Sequence, residues 1–431
     1  MIFKAAEKNN TEVVAYLIGE NADVEISDKK GDFPLLRAAK FGFSEVVSML
    51  IYANASVNQT NLDGASALFA ASGRGHQGTV KLLLESGAYL DSVWSVTGAT
   101  PIFQAIIFNY PNITKMLRDH GANMSNPNLY HAAAYSGNEE IVDLLHNLGL
   151  DVNFRNIFHE SPLLVASSSG KIDIVEKLID FGAVVNFADS EGRTPVLVAS
   201  KKGFTNIVNL LLKNGANPSL STNDGISSLY QASAYGHLEI VQILLAKGAD
   251  PNVPNNSGET PISVASESGH TEIVNILLEK EANPEISRKD GASPLFFASQ
   301  NGHLKIVRIL ISAIKNKNHI NQKWKKFGRT PLMKASMNGH GDIVYILLAN
   351  GADTEVADNS GITALSMASW YGYEHIVNLL LSHGANPETS DDNGMTPLIS
   401  ASSRGFINIT ALSIASRYGY EHIVIVPDSP I

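Results

Sequence analysis

The chain has 431 residues, 44% of them hydrophobic and 17% charged, with a formal net charge of -10. It contains no cysteine, which excludes disulfides and thiolate chemistry. The acidic balance argues against a nucleic-acid scaffold and against attraction to anionic membranes, and no window approaches the ~18 uninterrupted apolar residues of a membrane span.

The first ten residues, MIFKAAEKNN, read as a helix rather than a secretion signal. Lys4, Glu7 and Lys8 can solvate part of it. That suits the end of a stacked array, where a terminal unit exposes a face that inner units bury. From there a glycine recurs in one slot: Gly31, Gly64 and Gly98, then Gly192, Gly225, Gly258 and Gly291, then Gly328, Gly361 and Gly394. From Gly192 to Gly291 and from Gly328 to Gly394 each step is 33 residues. A fixed period of this size means a solenoid, in which each unit packs mainly on its neighbours.

Within a unit the elements follow in fixed order. Two places after the frame glycine comes Thr or Ser, as at Thr100, Thr194, Ser227, Thr260, Thr330 and Thr396, commonly followed by Pro. Thr as N-cap with Pro at the first helical position starts a helix. This short helix carries small pairs such as Ala232-Ser233 and Ala265-Ser266, which let neighbouring helices approach closely. A second glycine, as at Gly42, Gly75, Gly236 and Gly372, predicts a left-handed cap; Asn9 and Asn109 take its place in two units. The second helix puts Ile240, Val241, Leu244 and Leu245 on one apolar stripe. A third glycine ends it, or Asn21 and Asn54, and a polar β-turn finger leads back to the frame.

Three places break the rhythm. The interval from Gly98 to its counterpart Asn126 is short, which predicts a clipped finger. The interval from Gly291 to Gly328 is long, and the surplus lies in ISAIKNKNHINQKWKKFG. Its Lys315, Lys317, Lys323, Lys325 and Lys326 read as a solvated loop, with a site for an acidic partner as the alternative. Residues 408–424 nearly copy residues 361–377 and begin too soon after Gly394, so that unit lacks a second helix.

A stretch such as GRTPLMKASMNGHGDIVYILLANGAD (residues 328–353) resembles the ankyrin repeat almost slot for slot. The resemblance covers nearly the whole chain. It implies an all-α solenoid of stacked helix-turn-helix units with β-hairpin fingers. It implies a single array over residues 1–431 of about thirteen units, with irregular junctions near 122–128 and 312–327 and a degenerate, truncated unit at 395–431. The family's histidine after Thr-Pro-Leu survives only as His131; other units carry Leu36, Phe69, Tyr230, Ser263, Phe296 or Met333 there. The threonine-to-histidine bond is therefore largely absent, and apolar packing must replace it in some units.

No nucleophile elbow, HExxH or phosphate loop occurs. His76, His237, His270, His303 and His340 all follow the helix-ending glycine and read as one structural slot. The reading is therefore non-enzymatic, with no cofactor, no metal and no catalytic residue. What the resemblance implies instead is a scaffold binding protein partners in a concave groove; the composition and the lack of a signal or span add the expectation of a cytoplasmic or nuclear monomer without nucleic acid or membrane insertion. The alternative is a regulatory or targeting fragment of a larger channel, kinase or ubiquitin-ligase adaptor. Variable places before the helix-ending glycine supply the candidate protein-binding residues: Phe41, Arg74, Phe108, Tyr135, Tyr235, Trp370, Tyr371 and Arg404. Trp370 and Tyr371 stand out because stacking between units has no evident use for two large aromatics in succession. The resemblance also implies that the hairpin asparagines Asn58, Asn153, Asn186 and Asn252 are hydroxylation candidates.

Overall fold

Short antiparallel helix pairs follow one another along the whole described chain. The computed structural model describes residues 1–409. Two compact bodies are formed, Met1–Val198 with Lys213–Ala216, and Ala199–Leu212 with the described residues 217–409. Within each body the first helices pack side by side, as Ser228–Tyr235 does on Pro261–Ser268, and the second helices form a parallel row.

The helix starts are where the chemistry puts them. The hydroxyls of Thr100, Ser227, Thr260, Thr330 and Thr396 each accept a bond from the backbone N–H three residues on. The Ala-Ser pairs lie at zero exposure between helices, at Ala232, Ser233, Ala265 and Ser266. Burying these small residues leaves the Oγ atoms of Ser233, Ser266, Ser299, Ser336 and Ser369 without a hydrogen-bond partner. On the second helices Ile240, Val241 and Leu244 are buried, whereas Leu245 is half-buried at the edge of the stripe.

The turn slots behave as expected and reveal two members that their side chains disguise. Gly42, Gly137, Gly236, Gly269 and Gly372 cap first helices with φ between 77° and 84°. Asn9, Asn21, Asn54 and Asn109 are left-handed in the same way. So are His159, in a frame-glycine slot, and Glu281, in a third-glycine slot. Asn126 is not among the left-handed residues, so the clipped junction turns without the frame glycine's geometry.

The fingers are tight turns rather than extended hairpins. Among the described residues four carry a single isolated antiparallel bridge, Thr60 with Ser66, Trp94 with Ala99, Ser221 with Ser227 and Trp324 with Arg329. A backbone bond links many fingers to the next within a body, for example Ser95 N–H to Asp63 O at 2.8 Å and Lys289 N–H to Ser257 O at 2.9 Å. Asparagines reinforce this link in both directions. Asn58 donates to Gly87 O at 3.2 Å and accepts from Tyr89 N–H at 2.7 Å. Asn153 and Asn252 repeat that pattern, and Asn186 donates to Gly215 O. The asparagines flagged as hydroxylation candidates thus act as staples between units.

The lysine-rich insertion folds. A 3-10 helix, Lys317–Asn321, buries Ile320 completely, and Ile314 is buried ahead of it. Glu285 accepts the Lys315 and Asn316 N–H groups, and the bond from Asn316 is the chief cause holding its carboxyl below the usual range. Trp324 donates to Asp290 at 2.9 Å and packs on Phe296, 5.5 Å between ring centres. The ammonium groups of Lys323 and Lys325 donate to the backbone oxygens of Ala357 and Lys289. The insertion is therefore anchored by its apolar residues, while its five lysines stay exposed, as a solvated loop requires. The unit expected at 395–431 contributes the helix Pro397–Ser403; its remainder past residue 409 lies outside the described residues.

Candidate protein-binding surface

The histidine slot sits at the joints between units. His76, His237, His270, His303 and His340 each place Nε2 at 3.0–3.2 Å from a backbone oxygen of the preceding unit, on Lys40, Lys201, Ala234, Glu267 and Gln300 respectively. Each imidazole lies against the preceding unit's helix-ending glycine; a Cβ on Gly236 would stand 2.7 Å from His270 Cε1. Where histidine is missing, the rings of Tyr110, Tyr373 and Phe406 or the Lys171 side chain fill the same space, against Gly75, Gly339, Gly372 and Gly137. These histidines are consumed by packing, and no group of three or more His, Cys, Asp or Glu that could hold a metal occurs among the described residues.

Loss of the family-type Thr-His bond is compensated in more than one way. Leu36, Phe296 and Met333 fill the slot with buried apolar volume. Elsewhere polar bonds replace it: Thr260 with Ser263 at 3.0 Å, Thr363 with Ser366 at 3.2 Å, and Tyr230 Oη donating to Glu259 at 2.8 Å. His131, which keeps the residue, is buried and bonded through Nε2 to Glu160 O at 2.9 Å; burial pushes its pKa down.

Each body has a concave site between fingers and first helices. In the first, a groove of about 850 Å³ is lined by Lys40, Arg74, Phe69, Trp94, Phe108 and Tyr110, among others. Phe69 and Trp94 are 5.6 Å apart. In the second, a smaller cavity of about 400 Å³ is lined by Met337, Met367, Trp370, Tyr371, Asp391 and Met395, among others. Of the sequence-derived candidates, Arg74 and Phe108 share the first site, and Trp370 and Tyr371 share the second. Phe41 and Tyr135 are exposed in the first body outside the groove lining, and Tyr235 is exposed in the second.

Several of these side chains also have partners within the chain. The ring before the helix-ending glycine stacks on the ring after it: Phe41 on Phe43, Tyr235 on His237 and Tyr371 on Tyr373, with centres 5.8–6.3 Å apart. The Arg404 guanidinium lies 4.3 Å from the Trp370 ring centre. The ring pairs lie within single units; of these contacts, the Arg404 guanidinium over Trp370 is the one that joins successive units. Trp370 and Tyr371 nevertheless keep 40% and 43% of their surface exposed. Trp94 and Tyr110, which help line the first groove, were not singled out from sequence; Trp94 sits on a finger whose curvature only the fold reveals.

A family model described as ankyrin repeats (3 copies) matches residues 1–61, 53–128, 129–222, 229–321, 313–391 and 342–412. The chain belongs to the ankyrin-repeat family. Its ankyrin units are similar to part of the B-cell lymphoma 3 protein homolog of Mus musculus, 33% identical over 90 residues. That match covers 20% of this chain and 20% of the mouse protein, so the shared ankyrin segment spans about a fifth of that relative. Ankyrin repeats are protein-protein interaction modules, and protein partners are what this ankyrin chain implies. No helix among the described residues is long and apolar enough to cross a membrane.

Proposed function

We propose that the chain is a non-enzymatic scaffold that holds partner proteins on the concave side of its ankyrin units, acting as a monomer in the cytoplasm or nucleus. The contact residues are Phe41, Arg74, Phe108, Tyr135, Tyr235, Trp370, Tyr371 and Arg404. The observation that carries this reading is the groove that joins Arg74 and Phe108 to Phe69 and Trp94. Aromatic and arginine side chains in a concavity are the residues in which binding energy concentrates. Within each body the units supply rigidity: glycine-imidazole joints, asparagine staples and finger bonds fix neighbouring units before a partner arrives. Little ordering cost then remains for association.

Photo-crosslinking tests it. A benzophenone amino acid at Phe108 or Tyr371 should crosslink the captured partner. The same group at Tyr52 or Tyr345, exposed on second helices, should not. Crosslinks mainly from Tyr52 and Tyr345 would move the binding face to the other side of the repeats.

A further inference from the structure

The groove in the first body is charged as well as aromatic, and its charges are unbalanced. Lys30 lies on a finger, and Lys40 and Arg74 lie at the ends of two successive first helices; all three line the groove. Among the described residues none of the three makes an ion pair with a carboxylate. Arg37, lining the same groove, is by contrast held by Asp32 at 3.1 Å, Asp28 at 3.3 Å and Glu7 at 3.6 Å. Of the two carboxylates that line the groove, Asp32 is engaged by Arg37 and by Asn61 at 2.7 Å. Asp63 alone faces the three open cations. This local excess of positive charge sits on a chain with a net charge of -10, so it is a segregated feature and not a reflection of bulk composition.

The second body offers the contrast. Its cavity is lined by a single arginine, Arg329, already paired with Asp358 at 3.2 Å, and by Asp391. The lining itself holds no unpaired cation, and the single exposed guanidinium beside it, that of Arg404, is stacked 4.3 Å from the Trp370 ring centre.

We propose that the groove of the first body holds an extended acidic segment of a partner protein. Its Asp or Glu carboxylates meet Lys30, Lys40 and Arg74, and one large apolar side chain lies over Phe69, Trp94 and Phe108. This proposal rests on the concave-surface reading above and names the partner's chemistry. Arginine and lysine bonded to carboxylates make the stronger, charge-assisted class of hydrogen bond. The 56% exposure of Phe108 leaves an apolar surface that such a side chain would cover. A volume of about 850 Å³ is within the range of a built ligand site and accommodates a few residues of extended peptide. Complementary charge also favours rapid, oriented encounter.

The test uses the full chain and a fluorescein-labelled peptide of Asp and Glu residues around one Trp. The controls are the same peptide with Asn and Gln, and a single-stranded DNA oligonucleotide of equal charge. Fluorescence anisotropy should show saturable binding of the acidic peptide, at least about tenfold tighter than the neutral one. Affinity should fall as salt rises from about 0.05 M to about 0.3 M. Lys40→Glu with Arg74→Glu should weaken binding about tenfold or more. Lys81→Glu, on a second helix and already beside Glu85, should not. If the reversed-charge pair lowers the thermal midpoint, Lys40→Gln with Arg74→Gln replaces it and should show the same direction of loss. Equal binding of the neutral peptide, unchanged affinity in the charge variants, or displacement by the oligonucleotide at equal concentration would overturn the proposal. Crosslinks from Phe108 that persist while the acidic peptide fails would refute only the acidic occupant. Loss of both would refute the groove as well.

Discussion

Replacing Gly236 by alanine separates two costs that the fold combines at one atom. Gly236 ends the helix Ser228–Tyr235 at φ 79°, where a non-glycine residue loses about 1–2 kcal/mol. The new Cβ would also stand 2.7 Å from His270 Cε1 and 3.0 Å from Nδ1, so the ring must move. Moving it breaks the 3.2 Å bond to Ala234 O, a further ~1 kcal/mol. Gly236→Ala should therefore cost about 2–3 kcal/mol. Gly248 provides the control: its φ is 84°, yet nothing lies within 4 Å of the Cβ position. Gly248→Ala should lose only the backbone term, about 1–2 kcal/mol. In a His270→Ala background the cost of Gly236→Ala should fall to the Gly248 value, a coupling of about 1 kcal/mol. Equilibrium urea denaturation of the four variants measures all of this. Equal costs at Gly236 and Gly248, or a strictly additive cycle, would refute the claim that the glycine makes room for the ring.

Other outcomes follow from the same structure. Ser266→Ala removes a fully buried hydroxyl without a partner and adds helix propensity, so urea melts should show a gain of about 0.5–1 kcal/mol; a loss would reveal a bond to that hydroxyl. Burial depresses the pKa of His131 below its usual 6.5, so its stabilising contribution is present above that pH and is lost as pH falls through the depressed value. His131→Leu should flatten the stability profile below about pH 6.5; an unchanged slope would place the proton uptake elsewhere. Trp370→Ala with Tyr371→Ala should weaken the captured partner by more than about 2 kcal/mol. Because Arg404 stacks on Trp370, the pair should also lower the thermal midpoint slightly; a large drop with unchanged affinity would assign both rings to packing.

The architecture was legible because its signals are local and repeated. Thr-Pro starts a helix and glycine stops one whatever the tertiary surroundings, and ten aligned frame glycines multiply a weak signal. Legibility failed where a side chain disguised a backbone role, as at His159 and Glu281, both left-handed without being Gly or Asn. In the insertion the lysines are exposed as their chemistry suggests, but the anchoring by buried Ile314 and Ile320 and by Trp324 on Phe296 was not legible. Variable places before the helix-ending glycine could be named from sequence. Their grouping into two separate concavities could not, because Phe69, Trp94 and Phe108 meet only through the return of a finger over a helix.

The joint between units has a consequence for how such a chain lengthens. Each unit offers its successor a socket made of backbone and a missing side chain. That socket accepts imidazole, phenol, phenyl or an alkyl ammonium, as His270, Tyr373, Phe406 and Lys171 demonstrate. Because the receiving side specifies no complementary group, a duplicated or deleted module needs no matching change in the one before it. The exchange of parts costs little at the seam. The near-identity of residues 408–424 to residues 361–377 is the kind of copying that such tolerant seams allow to persist.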